Sequence, residues 1–313
     1  MMVTTLGIVR AAAVAAALAL ATACDRPPQR FDTPEQAVDS LVAAAERFDV
    51  SSLKAILGTR GAALVTSPDS VRDRLDATSF AALAREKWRL DYDSSRTTVV
   101  VSAGALDWPM PIPVVKHEDN RWSFDPETGM EEILLRRIGR NELDAIEVCR
   151  GYVEAQKTYA LDTHDGALVN QYAQRVISSP GKHDGLAWQA PDGSWQGPVG
   201  ERIARVIAEG YTTDLDPYHG YFFKILKGQG PSAPLGEIDF MVDGAMIGGF
   251  ALVAAPAEYR VTGVKTFIVS HDGIVYEKDL GAKTLEEFRA MERYNPDSTW
   301  KPVSNTYVTD APR

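Results

Sequence analysis

Residues 248–281, GGFALVAAPAEYRVTGVKTFIVSHDGIVYEKDLG, constrain the fold of this chain more than any other stretch. They read as strand, turn, strand, turn, strand, and Asp272-Gly273 is a hairpin signal between two of the runs. Just upstream, YHGYFFKILKGQG starts the same sheet, and TLEEFRAMERYNP closes it with a helix. A series of adjacent strands joined by short turns is an antiparallel sheet. The stretch offers no obvious catalytic group.

The other end of the chain has a different period. In FDTPEQAVDSLVAAAERFDV, Thr33 caps a helix, Pro34 occupies its first turn and Gln36 completes a capping box. Ala37, Val38, Leu41, Val42, Ala45 and Phe48 share one helical face. SSLKAILG predicts a short second helix, capped by Ser51 or Ser52 and stopped by Gly58. FAALAREKWRLDYD, residues 80–93, predicts a third helix that runs into irregular chain. TTVVVSAG and MPIPVVKHEDNRWSFD then alternate as strands, the second folding back through residues 117–120.

From Ile133 to Tyr159 the apolar spacing is helical again, with Gly139 as a bend or break, because glycine weakens a helix interior. Residues 178–198, dense in Gly, Pro, Asp and Ser, predict a long loop, and VGERIARVIAEG an amphipathic helix after it. The fold class is therefore α+β. A leader at 1–23, a tether at 24–30, a first domain at 31–128, a second at 129–302 and a tail at 303–313 divide the 313 residues.

The words TPEQAVDSLVAAAERFDVSSLKAIL, followed by a sheet, resemble the nuclear-transport-factor-two-like cone. That resemblance implies helices packed on a curved antiparallel sheet with a pocket between them. GYFFKIL and the 248–276 strands resemble the soluble head of type IV pilins, which implies a helix laid across an antiparallel meander. RRIGRNELDAIE is charged where a pilin helix is apolar, so only the head module carries over. Across the mature chain, RRIGRNELDAIEVCRGYVEAQKTYA, SSPGKHDGLAW, PYHGYFFKIL and IGGFALVAAPAEY resemble bacterial domain-of-unknown-function family 2950. That resemblance implies a secreted or lipid-anchored protein and supplies no activity.

The N-terminus carries Arg10, an apolar run of Ala, Val and Leu, then Leu20-Ala21-Thr22-Ala23-Cys24. This is the shape of a secretory signal, too short to span a bilayer, and its end resembles the lipobox of bacterial lipoproteins. Cys24 is the expected lipid attachment residue, and Asp25 resembles an inner-membrane retention signal. The expectation is an extracytoplasmic protein held on a membrane by its N-terminal lipid. With Cys24 acylated, Cys149 has no disulfide partner in the chain.

A net charge of −10 without a basic stripe argues against nucleic acid as a partner. The five histidines show no metal-ligand spacing, neither cysteine reads as a nucleophile, and GQGPSAPLG does not read as a phosphate loop. No metal and no cofactor are expected. In the first domain, Trp88, Tyr92 and Trp108 are candidates to line a pocket, with Asp91 or Asp107 as a base. His219, between Tyr218 and Tyr221, is a candidate general base if a carboxylate orients it, and the same residues read as one aromatic strand face. Trp188 and Trp195 make the 178–198 loop a candidate interface. The primary expectation is a non-catalytic interaction module whose partner is another envelope protein. The alternative is a small-molecule binder, hydrolase or isomerase built on the first domain's pocket.

Overall fold

The computed structural model describes residues 26–209, 211 and 217–304. Cys24, the leader and tail residues 305–313 lie outside the described residues.

Helix α1, Pro34–Glu46, starts where its capping chemistry dictates. The Thr33 hydroxyl accepts from the Gln36 N–H at 3.2 Å. Gln36 reaches back to the Asp32 N–H at 3.3 Å, one residue before the usual capping-box donor. Ala37, Val38, Leu41, Val42 and Ala45 are buried on one face. Helix α2, Val50–Val65, is capped by Asp49 rather than by a serine, since its carboxylate accepts from the Ser52 N–H at 3.1 Å. Gly58 does not end it but kinks it, at φ 71°. Arg26 and Pro28 cross there, and a Cβ on Gly58 would stand 2.7 Å from the Pro28 nitrogen. Thr59 N–H donates to the Arg26 carbonyl at 2.9 Å and Gln29 N–H to Ala55 at 3.1 Å. Residues 26–30 are thus docked along α2 rather than hanging free as a tether.

Helix α3 corrects the sequence expectation. It covers Ser70–Glu86, with Asp69 as its cap, and it stops before Trp88. Its first turns are charged and show no apolar stripe, so periodicity alone conceals them. Trp88 opens strand β1, Trp88–Tyr92, in which Trp88, Leu90 and Tyr92 alternate with Arg89 and Asp91. The remaining strands of this sheet are β2 (Thr98–Ala103), β3 (Trp108–Pro109), β4 (Val114–Lys116) and β5 (Trp122–Phe124). The order is β1-β2-β4-β5, with β3 on the side of β2, all antiparallel. Together α1 to α3 and this sheet enclose the first core, from Phe31 to Phe124.

Helix α4, Pro126–Tyr159, has 34 residues and no break at Gly139. At 1.5 Å per residue it is about 51 Å long. Its N-terminal part lies on α2, and Ile133 packs on the first core. Ala145, Ile146, Cys149, Tyr152, Val153 and Tyr159 belong to the second core. One continuous helix therefore spans both cores, and the spacing signal at Gly139 reflects local propensity that packing overrides. A Cβ on Gly139 would meet nothing within 4 Å. Gly139→Ala is expected to stabilise the protein by about 0.5–1 kcal/mol, measured by denaturant unfolding, because the helical backbone already suits alanine. Cys149 is fully buried, and burial pushes its thiol up to about 12.

The segment 178–198 is also not a bare loop. Strands β6 (Arg175–Ile177), β7 (Gly185–Gln189) and β8 (Trp195–Gln196) form a small sheet, β6 parallel to β7 and β7 antiparallel to β8. Helix α5, Gly200–Glu209, follows. The main sheet of the second half is antiparallel. Its order is β17 (Lys301–Pro302), β16 (Tyr276–Asp279), β15 (Lys265–Ser270), β14 (Ala251–Pro256), β9 (Tyr221–Leu226). Two short ribbons, β10 (Gly228–Gln229) with β11 (Ile238–Asp239) and β12 (Met241–Val242) with β13 (Ala245–Met246), lie between β9 and β14. All six residues of β14 are buried, and both α4 and helix α6, Thr284–Ala290, pack on it. Coverage on both faces explains why ALVAAP is a continuous apolar run rather than an alternating one. The Asp272-Gly273 turn joins β15 to β16, closed by Gly273 N–H to the Ser270 carbonyl at 2.9 Å. Among the described residues, no helix is long and apolar enough to cross a membrane.

Candidate functional site

The first half contains a cleft of about 440 Å³. Its floor is apolar because α1, α2 and the sheet each turn an apolar face toward it. Leu41 from α1, Leu53 and Leu57 from α2, and Ile112 between β3 and β4 are buried there. Ala77, Phe80 and Leu83 of α3 form one wall, spaced three residues apart. Ligand pockets commonly span roughly 300–1,000 Å³ with mostly apolar linings, and this cleft fits both descriptions.

One side of the cleft is polar. It is built by Arg136, Arg137 and Arg140 of α4 and by Asp73 and Asp76 of α3. Arg137 is structural: it donates to the carbonyls of Ala63 and Leu64 at 3.1 and 2.9 Å, in the last turn of α2. Its charge lies 3.9 Å from Asp73. Burial raises the Asp73 carboxyl above its ordinary range, against the pull of the Ser67 N–H and Arg137. Arg136 pairs with Glu132 at 2.8 Å and lies 5.5 Å over the ring of Trp108, while Arg140 pairs with Asp76.

Of the five residues singled out as a pocket in the sequence, only Trp108 lines this cleft. Trp88 packs on the first core beside Leu90. Tyr92, on the edge strand, is exposed and meets Trp122 edge-on at 6.3 Å. Asp91 projects from the strand's other face, accepting from Arg89 at 2.7 Å and from the Ser102 hydroxyl at 3.0 Å. Asp107 is held by Lys87 at 2.8 Å, and that bond lowers its carboxyl below the ordinary range. A base needs the opposite shift. Neither aspartate lines the cleft, because strand alternation carries Asp91 away from the core and Asp107 sits in the turn before β3.

His219 is not on a strand. It shares a tight turn with Gly220, closed by paired bonds between Tyr218 and Tyr221 at 2.9 and 3.1 Å. Both central residues have positive φ, 49° and 75°, as a type I′ turn demands. A carboxylate does orient the ring: Nδ1 lies 2.7 Å from Asp144. The other nitrogen faces the Arg72 guanidinium at 3.4 Å. Arg72 in turn lies 3.3 Å from Asp76 and 3.6 Å from Asp144. Beneath it, Asp69 accepts from the Gly220 N–H at 2.7 Å and the Tyr211 hydroxyl at 3.1 Å. With both ring nitrogens engaged, His219 works as a fastener. The network ties α3, α4 and the turn before β9 together across the two halves, and it reaches the cleft through Asp76.

The two tryptophans are not exposed anchors. Both are half-buried on the small β6–β8 sheet. Trp188 packs on the second core and meets His183 edge-on at 4.8 Å, and a Cβ on Gly197 would strike its ring at 2.7 Å. The sequence did not single out Arg136, Arg140, Asp69, Arg72 or Asp144. RRIGR at 136–140 does place two arginines four apart on one helical face, which was the available signal.

The family profile described as "Protein of unknown function (DUF2950)" matches residues 28–303. The chain belongs to the DUF2950 family. No curated protein and no solved structure matches it. The family spans both cores and the α4 helix between them, so the cleft and the His219 network lie within it. The cone and pilin-head resemblances rest on the sequence words alone.

Proposed function

We propose that this DUF2950 protein is a lipid-anchored protein of a bacterial envelope that binds an apolar small molecule in the cleft of its N-terminal half. The cleft is the observation that carries this reading. It is apolar, open and already formed, and its arginine side distinguishes one end from the other. A non-catalytic role is supported by how the candidate bases are used. Asp107 is pinned by Lys87, and His219 is closed in by Asp144 and Arg72. The anchor is supported by Arg10, the apolar run and Cys24. Two acyl signals on one cysteine suffice for stable attachment. In detergent phase separation of membranes, wild type should enter the detergent phase and Cys24→Ser the aqueous phase. Equal partitioning of the two would remove the anchor.

A second reading, an assembly module for another envelope protein, is favoured by α5. Its apolar residues Ile203 and Val206 are only half-buried and Ile207 is exposed. Trp188 and Trp195 offer less to such a surface than their sequence context implied, since both are half-buried and Trp188 packs on the second core. Cleft blockage separates the two readings: it removes ligand binding and leaves an α5 contact untouched.

A further inference from the structure

We propose that the cleft takes a single-chain amphiphile with an anionic head, its chain on the apolar floor and its head between Arg136 and Arg140. This rests on the cleft being a ligand site. The charged part of the lining is Arg136, Arg137 and Arg140 of α4 with Asp73 and Asp76 of α3. Asp73 and Arg137 are both buried and face each other, which leaves Arg136 and Arg140 at the rim with Glu132 and Asp76 as their partners. Arg136 and Arg140 stand one helical turn apart on α4 and point to the same side.

Their present partners hold them weakly. Arg136 and Glu132 are 49% and 52% exposed, and Arg140 and Asp76 are 44% and 36% exposed. Ion pairs at such exposure contribute little, so an incoming anion can exchange with the carboxylates. A guanidinium offers a planar fork that meets a carboxylate or phosphate head with two parallel hydrogen bonds. Trp108, 55% exposed and stacked under Arg136, supplies an apolar surface where chain meets head. Leu83, 46% exposed on α3, adds further apolar surface to the lining.

The test uses the full chain with Cys24→Ser, so that no detergent competes for the cleft. The neutral fluorophore N-phenyl-1-naphthylamine reports occupancy. Dodecanoate, dodecyl phosphate, dodecanol and dodecylammonium are compared as competitors below their micelle concentrations. The two anionic competitors should displace the probe at least tenfold more strongly than dodecanol, and dodecylammonium least. Their ratio tells a carboxylate from a phosphate head. Arg136→Gln with Arg140→Gln should erase the anion preference while the probe itself still binds, and the paired Lys variants should keep part of it. Added salt should shrink the preference. Equal displacement by all four compounds would overturn the head-group assignment and leave the cleft reading standing. No binding of the probe by the parent chain would overturn both.

Discussion

Asp69→Ala should lower folding stability by about 3 kcal/mol, the largest single-site loss expected outside the two apolar cores. Asp69 does two jobs at once. It caps α3, accepting from the Arg72 N–H at 2.9 Å, and it takes two donors from the second half, Gly220 N–H and the Tyr211 hydroxyl. Losing a cap costs about 1 kcal/mol. Each buried donor left without an acceptor costs about 1–3 kcal/mol. Relief from burying a carboxylate offsets part of that sum. Denaturant unfolding measures the loss, and Asp69→Asn, which keeps an acceptor, should lose less.

The same substitution has a signature in pH. Burial raises the Asp69 carboxyl above 3.8, outweighing the hydrogen bonds it accepts from Arg72, Gly220 and Tyr211. The native state therefore binds this proton before the unfolded chain does. Its contribution is fully present below the unfolded value of 3.8 and is lost as pH rises through the native value. The stability difference between wild type and Asp69→Ala should accordingly grow on acidification across that window. A difference that shrinks on acidification would contradict the burial of this charge. Asp73 is raised chiefly by burial and in part by the Asp69 charge itself, so what it leaves in the comparison has the same sign.

Ala77→Trp should abolish ligand binding with little change in stability. Ala77 sits on α3, half-buried at the margin of the first core, and lines the cleft. An indole there fills space that a ligand would otherwise occupy, and it covers apolar surface of the floor. Affinity for an apolar probe should fall at least a hundredfold, which corresponds to about 2.7 kcal/mol of binding free energy. The thermal midpoint should stay within a few degrees of wild type. Unchanged affinity would show that the probe binds elsewhere.

Capping chemistry and sheet pattern made much of the fold legible. Thr33, Pro34 and Gln36 announced α1, and Asp272-Gly273 marked the hairpin that the structure contains. The errors have physical sources. Gly58 reads as a stop, yet α2 resumes beyond a kink formed where residues 26–28 cross it. Gly139 reads as a break, yet contacts at both ends of α4 hold the helix continuous. Helix α3 begins with SVRDRLD, a charged first turn stabilised by its cap rather than by an apolar stripe. The cone resemblance names Trp108 with Trp88 and Tyr92, and of the three only Trp108 lines the cleft. Asp69 and Arg72 at the start of α3, Asp144 on α4 and His219 come from three distant stretches of sequence, so nothing local predicts that they meet.

The most direct measurement is methyl NMR of the Cys24→Ser chain, leucine-labelled, during titration with N-phenyl-1-naphthylamine. The methyls of Leu41, Leu53, Leu57 and Leu83, which line the cleft, should shift in proportion to occupancy. Those of Leu186, Leu226 and Leu252, buried in the second core, should hold still. Shifts confined to the second-core leucines, or no shifts at saturating probe, would contradict the assignment of the cleft as the binding site.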